Sequence, residues 1–378
     1  MDGEEKEKLR LGFVGGGPGS LIGPIHVMAS TMDQHFEIVA GTFSRDYEKT
    51  KEHAESLEID LDRAYRDYKE MAEREAQRDD GIDMVAILSP NDNHVVASKA
   101  FLEEGIHVLC EKPLATNAQE AFYLSQFAKD KELMLATCYN YSGFPMIRQA
   151  RAMVEKGDLG KIRMVNIEMP QSYLASNSPQ STGDSWRQDP ERVGPSLILM
   201  DLATHLHHLM LYVSGLEVDE VLGETSTLVD GGLVDDNVSV LIRFKEGARG
   251  LLWTSASATG NEHGMRIRVF GDKASLDWFE EEPNHLIFKP LGKPHMTYAK
   301  GGPSLYEEGK RGTRMTWGHP EGYIEAFANI YSDIALFLEE EKKVSGFPDG
   351  EVGAESILFS EKVLESSSKG TWIKVENP

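Results

Sequence analysis

Short apolar runs recur through the first third of the chain, separated by stretches in which apolar and charged residues alternate with helical spacing. Residues 9–14, 37–42, 82–88, 106–110 and 133–138 are apolar and bounded by glycine, proline or charged residues, which is how strands buried on both faces of a parallel sheet read. Residues 24–31, the charged stretch ending at Leu57, and residues 65–78 and 118–130 read as the intervening helices. Strand alternating with helix predicts a doubly wound parallel sheet. The pattern changes at about Pro145. Residues 146–156 and 199–213 are helical, 162–169 alternate like a strand, and 171–195 are polar, rich in Ser, Pro, Asp and Gly, and predict a long loop. Residues 220–228, 237–244, 248–256 and 265–271 follow as strands of a mixed or antiparallel sheet, and long helices at 321–341 and 352–368 precede a closing strand at 372–375. The expected fold class is α/β: a doubly wound N-terminal domain, residues 1–142, then an α+β domain with a largely antiparallel open sheet, residues 143–378. The C-terminal helix is expected to pack back on the first domain.

Composition supports two domains, because 378 residues with 40% hydrophobic content exceed what one core usually holds. No apolar run reaches membrane-spanning length. The acidic, polar segment 1–8 lacks the pattern of a secretion signal or mitochondrial presequence, so a cytoplasmic location is expected. Cys110 and Cys138 lie inside strand-like runs, which suits reduced core thiols better than a disulfide framework or a metal site, and no metal is expected. A formal net charge of −23, from 62 acidic against 39 basic residues, argues against nucleic acid or an anionic membrane as partner. A small anion is still compatible, since backbone N–H groups at a helix terminus act over a few ångströms while the global field is screened within about 10 Å.

The first apolar run opens into Gly15-Gly16-Gly17-Pro18-Gly19-Ser20-Leu21-Ile22-Gly23 before a helix. A glycine turn between strand and helix lets N–H groups approach a pyrophosphate at the positive end of the helix dipole. Gly15 and Gly17 fit the first two places of that fingerprint, and Gly23 fits the third if the turn is longer by three residues. After the second strand, Phe43 occupies the place of the carboxylate that usually binds the adenosine ribose. Ser44 can donate a hydrogen bond and Arg45 can pair with a 2′-phosphate, or Arg45 is simply solvated.

Two constellations carry reaction chemistry. Lys112, in Glu111-Lys112-Pro113, falls just past a strand's carboxyl end, where open α/β sheets bind ligands. Asp201, His205 and His208 are spaced i, i+4 and i+7 and share one helix face, while Leu202, Leu206, Leu209 and Val213 form an apolar stripe. Three readings of the histidines stay open: a metal site, a structural cluster, or acid–base chemistry in which a carboxylate orients an imidazole.

Glycine turn, Pro90-Asn91 with His94, Glu111-Lys112-Pro113, and Asp201 four residues before His205 together resemble the glucose–fructose oxidoreductase and inositol dehydrogenase family, Gfo/Idh/MocA. The resemblance covers nearly the whole chain, including residues 350–375. It implies a Rossmann domain binding NAD or NADP, with Pro90, Asn91, His94 and Glu111 on the cofactor. It also implies hydride transfer at a ring carbon of a sugar, glycoside or cyclitol, with Lys112 polarising the reacting oxygen, His205 moving its proton and Asp201 orienting the imidazole. His208 stands where inositol-type members carry an acidic polyol-binding residue. Tyr139, Asn140, Tyr173, Trp186, Arg187 and His319 are pocket candidates by location and type. Partners are a small carbohydrate or polyol and a second copy of the chain, as homodimer or homotetramer, since an antiparallel sheet covered on one side leaves a face for a symmetric partner. Two other readings share these residues: an NAD-dependent glycosidase on the same fold, and a dinucleotide-sensing regulator without catalysis.

Overall fold

The structure is a computed structural model and describes residues 8–175, 194–232, 234–340 and 346–377. The chain divides into two compact units, one holding Met1–Ala115, Gln119–Cys138 and Phe327–Gly353, the other Thr116–Ala118, Tyr139–Ala326 and Ala354–Pro378. Among the described residues no helix is long and apolar enough to cross a membrane.

The first unit is a parallel sheet of β1 (Leu9–Gly15), β2 (Phe36–Thr42), β3 (Met84–Leu88), β4 (His107–Glu111) and β5 (Leu135–Cys138), in the order β2-β1-β3-β4-β5. Every residue of β3 and β5 is buried, so their runs are apolar without alternation. Helix α1 (Gly23–Met32) follows β1, α2 (Tyr47–Ser56) follows β2, α3 (Tyr68–Ala76) precedes β3, α4 (His94–Glu103) joins β3 to β4, and α5 (Ala118–Asp130) precedes β5. Residues 65–67 are not helical, contrary to the periodicity. The Asp67 carboxylate caps α3 by accepting the N–H groups of Lys69 and Glu70. Tyr65 is buried, donating its hydroxyl to Glu75 at 2.6 Å, in a network that includes Arg63. Residues 327–353 close this unit. Pro348 accepts the Thr137 N–H at 2.8 Å, and Ser332 Oγ donates to Asp33 at 2.5 Å.

The second unit is built on a nine-stranded sheet among the described residues, ordered β13-β12-β11-β10-β6-β9-β8-β7-β14. Its strands are β6 (Ile162–Pro170), β7 (Val218–Ser226), β8 (Asn237–Phe244), β9 (Arg249–Ser255), β10 (Arg266–Gly271), β11 (Ala274–Phe279), β12 (His285–Pro290), β13 (Met296–Ala299) and β14 (Ile373–Lys374). The β6–β9 pair is parallel and the other pairs are antiparallel. Strands β11 to β13 carry no clear alternation in the sequence. The buried Asp277 on β11 breaks it, held by Arg266 and Lys289 at 2.8 Å each. Helices α6 (Pro145–Glu155), α7 (Thr204–Ser214), α8 (Glu307–Arg311), α9 (Tyr323–Glu340, of which the first turn lies here) and α10 (Gly350–Lys369, from Ala354 on) complete the set. The opposite face leaves Leu241 and Leu251 exposed as cross-strand neighbours.

Within α7, His207 and His208 are buried. His207 shares a hydrogen bond with Ser356 Oγ at 3.1 Å and stacks on Phe359 at 4.4 Å. Burial pulls both imidazoles down to about 3, so they stay neutral in the folded chain. The unfolded chain takes up those protons near the ordinary value of 6.5, so it binds more protons than the folded chain as pH falls from there toward 3. Chemical denaturation is therefore expected to show stability falling already between about pH 6.5 and 5, before most carboxylates titrate. His207→Leu should flatten that slope, and an unchanged slope would remove this account.

Candidate functional site

In the first unit the glycine turn is a cradle made by close backbone packing. Gly15 has φ +83°, and a Cβ there would lie 2.8 Å from Leu88 O at the end of β3. A Cβ on Gly23 would lie 1.8 Å from Gly16 O, so this first residue of α1 fills the role of the third glycine and the turn is the longer form. Ser20 Oγ accepts the Gly23 N–H at 3.0 Å. Gly17 is buried against Phe43. The sheet reverses its strand order between β1 and β3, the crevice where such sheets bind nucleotides. The residues present fit a dinucleotide: Cβ atoms on Gly15 and Gly23 would strike backbone at 2.8 and 1.8 Å, so only glycine permits this tight turn, which brings its N–H groups to the amino end of a helix.

Beyond β2, Phe43 is buried, Ser44 Oγ accepts the Asp46 N–H at 3.1 Å, and Arg45 is exposed. Beyond β3, Pro90 is half-buried and Asn91 is buried at the start of a short turn of helix, Asn91–Asn93. His94 is fully buried, 2.7 Å from both Pro113 O and Ser89 O. Burial lowers its pKa against the pull of those carbonyls, and one ring nitrogen lies against each of the two strand-end loops. Lys112 is half-buried past β4.

Glu111 is buried at the end of β4, just before Lys112, with Oε2 accepting the Lys112 N–H at 3.2 Å and Oε1 lying 3.0 Å from His26 Nε2. Burial alone would raise its pKa, but the His26 hydrogen bond, the neighbouring imidazoles and the Lys112 ammonium leave it below the ordinary carboxylate range. Glu111, His26 and Cys138 present donor atoms within 4.8 Å of one another, a set that could in principle hold a metal. Hydrogen bonds already occupy the imidazole and the carboxylate, and burial pushes the Cys138 thiol far up, so its sulfur stays protonated. Cys110 is likewise buried and free.

In the second unit a π-helical turn, Leu199–Ala203, runs directly into α7. Such turns concentrate at functional sites, and this one carries Asp201. Its start is held by Asp235, which accepts the Leu197 N–H at 2.9 Å and the Ser196 hydroxyl. Burial raises the Asp235 pKa. Tyr173 donates to Asp201 Oδ2 at 3.4 Å. His205 is 7% exposed and meets two tyrosines edge-on, Tyr141 at 4.8 Å and Tyr139 at 5.7 Å between ring centres. Tyr141 Oη shares a 2.9 Å hydrogen bond with His263 Nε2. Tyr139 also packs on His208 at 4.8 Å. Among the described residues, neither ring nitrogen of His208 and neither polar atom of the buried Asn140 side chain has a hydrogen-bond partner.

The structure thus brings Tyr139, Asp201, His205 and His208 together with Tyr141 and Tyr173. His319 lies apart, exposed, sharing a hydrogen bond with Thr316. Trp186 and Arg187 lie outside the described residues. Sequence reasoning passed over His26, Tyr141, Asp235 and His263. Of these, His26 alone carried a local signal, as a histidine on the buried face of α1 beside Gly23, Ala29 and Ser30.

Comparison with known proteins agrees with this anatomy. Residues 9–139 match the model of the oxidoreductase family with NAD-binding Rossmann fold, and residues 147–277 match the GFO/IDH/MocA C-terminal domain. The chain is 34% identical to the uncharacterized oxidoreductase YfiI of Bacillus subtilis over 99% of both chains. It is 28% identical to levoglucosan dehydrogenase of Pseudarthrobacter phenanthrenivorans over 79% of this chain and 81% of that one. An inositol dehydrogenase homolog from Azotobacter vinelandii, solved with NADH and myo-inositol, superposes with a TM-score of 0.90 at 34% identity over 97% of this chain and 98% of that one. The chain belongs to the GFO/IDH/MocA oxidoreductases, with their NAD-binding Rossmann domain first and their C-terminal domain after it.

Proposed function

We propose that the protein oxidises a ring hydroxyl of a sugar, glycoside or cyclitol, or reduces the corresponding ketone. The observation that carries this reading is the placement of Lys112 past the carboxyl end of β4, in the unit whose glycine turn fits a dinucleotide. The similarity to levoglucosan dehydrogenase and to a homolog holding myo-inositol supports the substrate class.

The glycine turn and the amino end of α1 hold the cofactor's pyrophosphate through backbone N–H groups. When bound, the dinucleotide supplies or accepts the hydride. The Lys112 ammonium stabilises the alkoxide that develops as the alcohol loses its proton. His205 takes that proton on oxidation and returns it on reduction, with Asp201 orienting the ring. Asn140 and His208 receive substrate hydroxyls. A neutral imidazole offers one N–H and one lone pair, and an amide offers both kinds of group, which matches hydroxyls that donate and accept; a carboxylate only accepts. The preferred substrate is therefore a neutral polyol or sugar rather than its acid.

A panel of sugars, cyclitols and uronates, followed by nicotinamide absorbance, is expected to show net cofactor reduction with neutral members; tight dinucleotide binding with no turnover would overturn the enzymatic reading. On the best substrate, Lys112→Met and His205→Ala should each lower kcat by about 10² to 10⁴ while dinucleotide affinity is retained. Wild-type turnover in either variant removes that residue's role. His208→Leu should raise KM by about tenfold, the worth of one unsatisfied buried partner, with kcat little changed. Uronates turned over better than neutral sugars would contradict the hydroxyl-reading pair.

With Phe43 in place of a ribose-binding carboxylate, nothing at that position repels a 2′-phosphate, and NADP is accepted as well as NAD. Arg45→Ala is expected to lower kcat/KM for NADP by about fivefold, the worth of an exposed ion pair, and to leave NAD unchanged. Equal effects on both cofactors would assign Arg45 to the surface.

A further inference from the structure

Three buried polar groups of the first unit meet where an apolar core would have sufficed. Tyr331, from the Phe327–Gly353 segment, is 1% exposed, and its hydroxyl lies 2.7 Å from His26 Nδ1. His26, on α1, is fully buried, and its Nε2 lies 3.0 Å from Glu111 Oε1. The other oxygen of Glu111 accepts the backbone N–H of Lys112. One arrangement of protons satisfies every member: Tyr331 donates to Nδ1, Nε2–H donates to the carboxylate, and the carboxylate receives the Lys112 amide. Burial pushes the Tyr331 phenol well above its usual range, so it remains a donor.

We propose that Tyr331, His26 and Glu111 form a relay of positioning residues that fixes Lys112 for proton and hydride chemistry. The proposal rests on the reading of Lys112 given above. Its physical basis is the cost of the alternative. A buried carboxylate is expensive, and replacing such polar groups by well-packed apolar residues is often neutral or stabilising. Core packing alone therefore gives no reason for the chain to end at this one amide. Lysine also reaches its target through a flexible four-carbon stem, so fixing its backbone and placing a counter-charge beside it narrows the positions open to the ammonium. Lys112 and Glu111 do interact electrostatically.

The relay has a second consequence. His26 lies one turn into α1, whose amino end forms the dinucleotide cradle, so the same hydrogen bond that orients Glu111 ties the cradle helix to the lysine loop. Phe327 and Tyr331 pack edge-on against the His26 ring at 5.1 and 5.8 Å, which leaves the imidazole little freedom to turn.

A double-mutant cycle on the full-length enzyme with the best substrate of the panel separates positioning from mere folding. Glu111→Gln and His26→Leu are each expected to lower kcat by about 100-fold, the cost of displacing a reacting group by about 1 Å, with substrate KM and dinucleotide affinity changed only a few-fold. His26→Gln places an amide N–H where Nε2 stood and should recover most of the lost kcat. Tyr331→Phe keeps the ring volume and should cost less than His26→Leu. Combined with Lys112→Met, none of them should lower kcat further, because the group they position is gone. Losses that add fully to that of Lys112→Met, or wild-type kcat in Glu111→Gln, would overturn the relay. Wild-type turnover in Lys112→Met alone would instead overturn the role given to the lysine, so the two failures are distinguishable.

Discussion

A carboxylate buried at the end of a central strand is the constraint around which the first unit is arranged. Glu111 sits on β4 directly across from Cys138 on β5, as the one buried carboxylate on a strand of this sheet among the described residues. A charge in that position must be matched by hydrogen bonds, or the group would neutralise or the strand end would unravel. The matching groups come from three separate parts of the chain: an imidazole from α1, a backbone amide from the Glu-Lys-Pro loop, and, one bond further out, a phenol 220 positions later in sequence, at Tyr331. Burying one charge thus ties the helix behind the glycine turn to the loop that carries the lysine.

The second unit solves a related problem with neutral groups. Its central helix carries three histidines within four positions, and two of them are held far below their usual pKa by burial. His207 spends its polarity on Ser356 and Phe359, away from the helix face that carries Asp201 and His205. His208 and Asn140 spend theirs on nothing in the described chain, although unsatisfied buried polar atoms are uncommon and costly. The asymmetry between neighbouring histidines separates one whose polarity the fold satisfies from one whose polarity it leaves open. The π turn and its Asp235 anchor add a further local irregularity where regular helix would have been the lower-cost choice.

Much of this was legible in the sequence. Near-continuous apolar runs exposed β1 to β5, and the glycine-rich sequence exposed the tight strand-to-helix turn, because only backbone can occupy the space between Gly16 and Gly23. The positions of Lys112 past β4 and of Asp201 and His205 on one stretch of helix were legible because charged and titratable groups at strand ends and on helix faces break the apolar pattern around them. Strands β11 to β13 were hidden for the opposite reason: an ion triad around Asp277 substitutes for apolar alternation. The relay was illegible as a whole. Tyr331 lies in an amphipathic helix that any core could use, and its partner His26 is 305 positions away, beyond the reach of periodicity.

The global charge and the local chemistry are set by different residues, and this is why a strongly acidic chain can hold an anionic cofactor. Many carboxylates behind the net charge of −23 are exposed, such as Asp80, Glu48 and Glu307 in ion pairs at the surface, where water and salt screen them. In the proposed reading a dinucleotide meets oriented N–H dipoles at the amino end of α1, which carries no acidic residue in its first turn. The buried Glu111, which is unscreened, faces a histidine, an amide and a lysine rather than the cradle's N–H groups, so its field is spent on the lysine loop. Short-range, fixed electrostatics in the interior thus prevail over a larger but screened surface charge, and the sign of the whole protein does not decide the sign of its ligand.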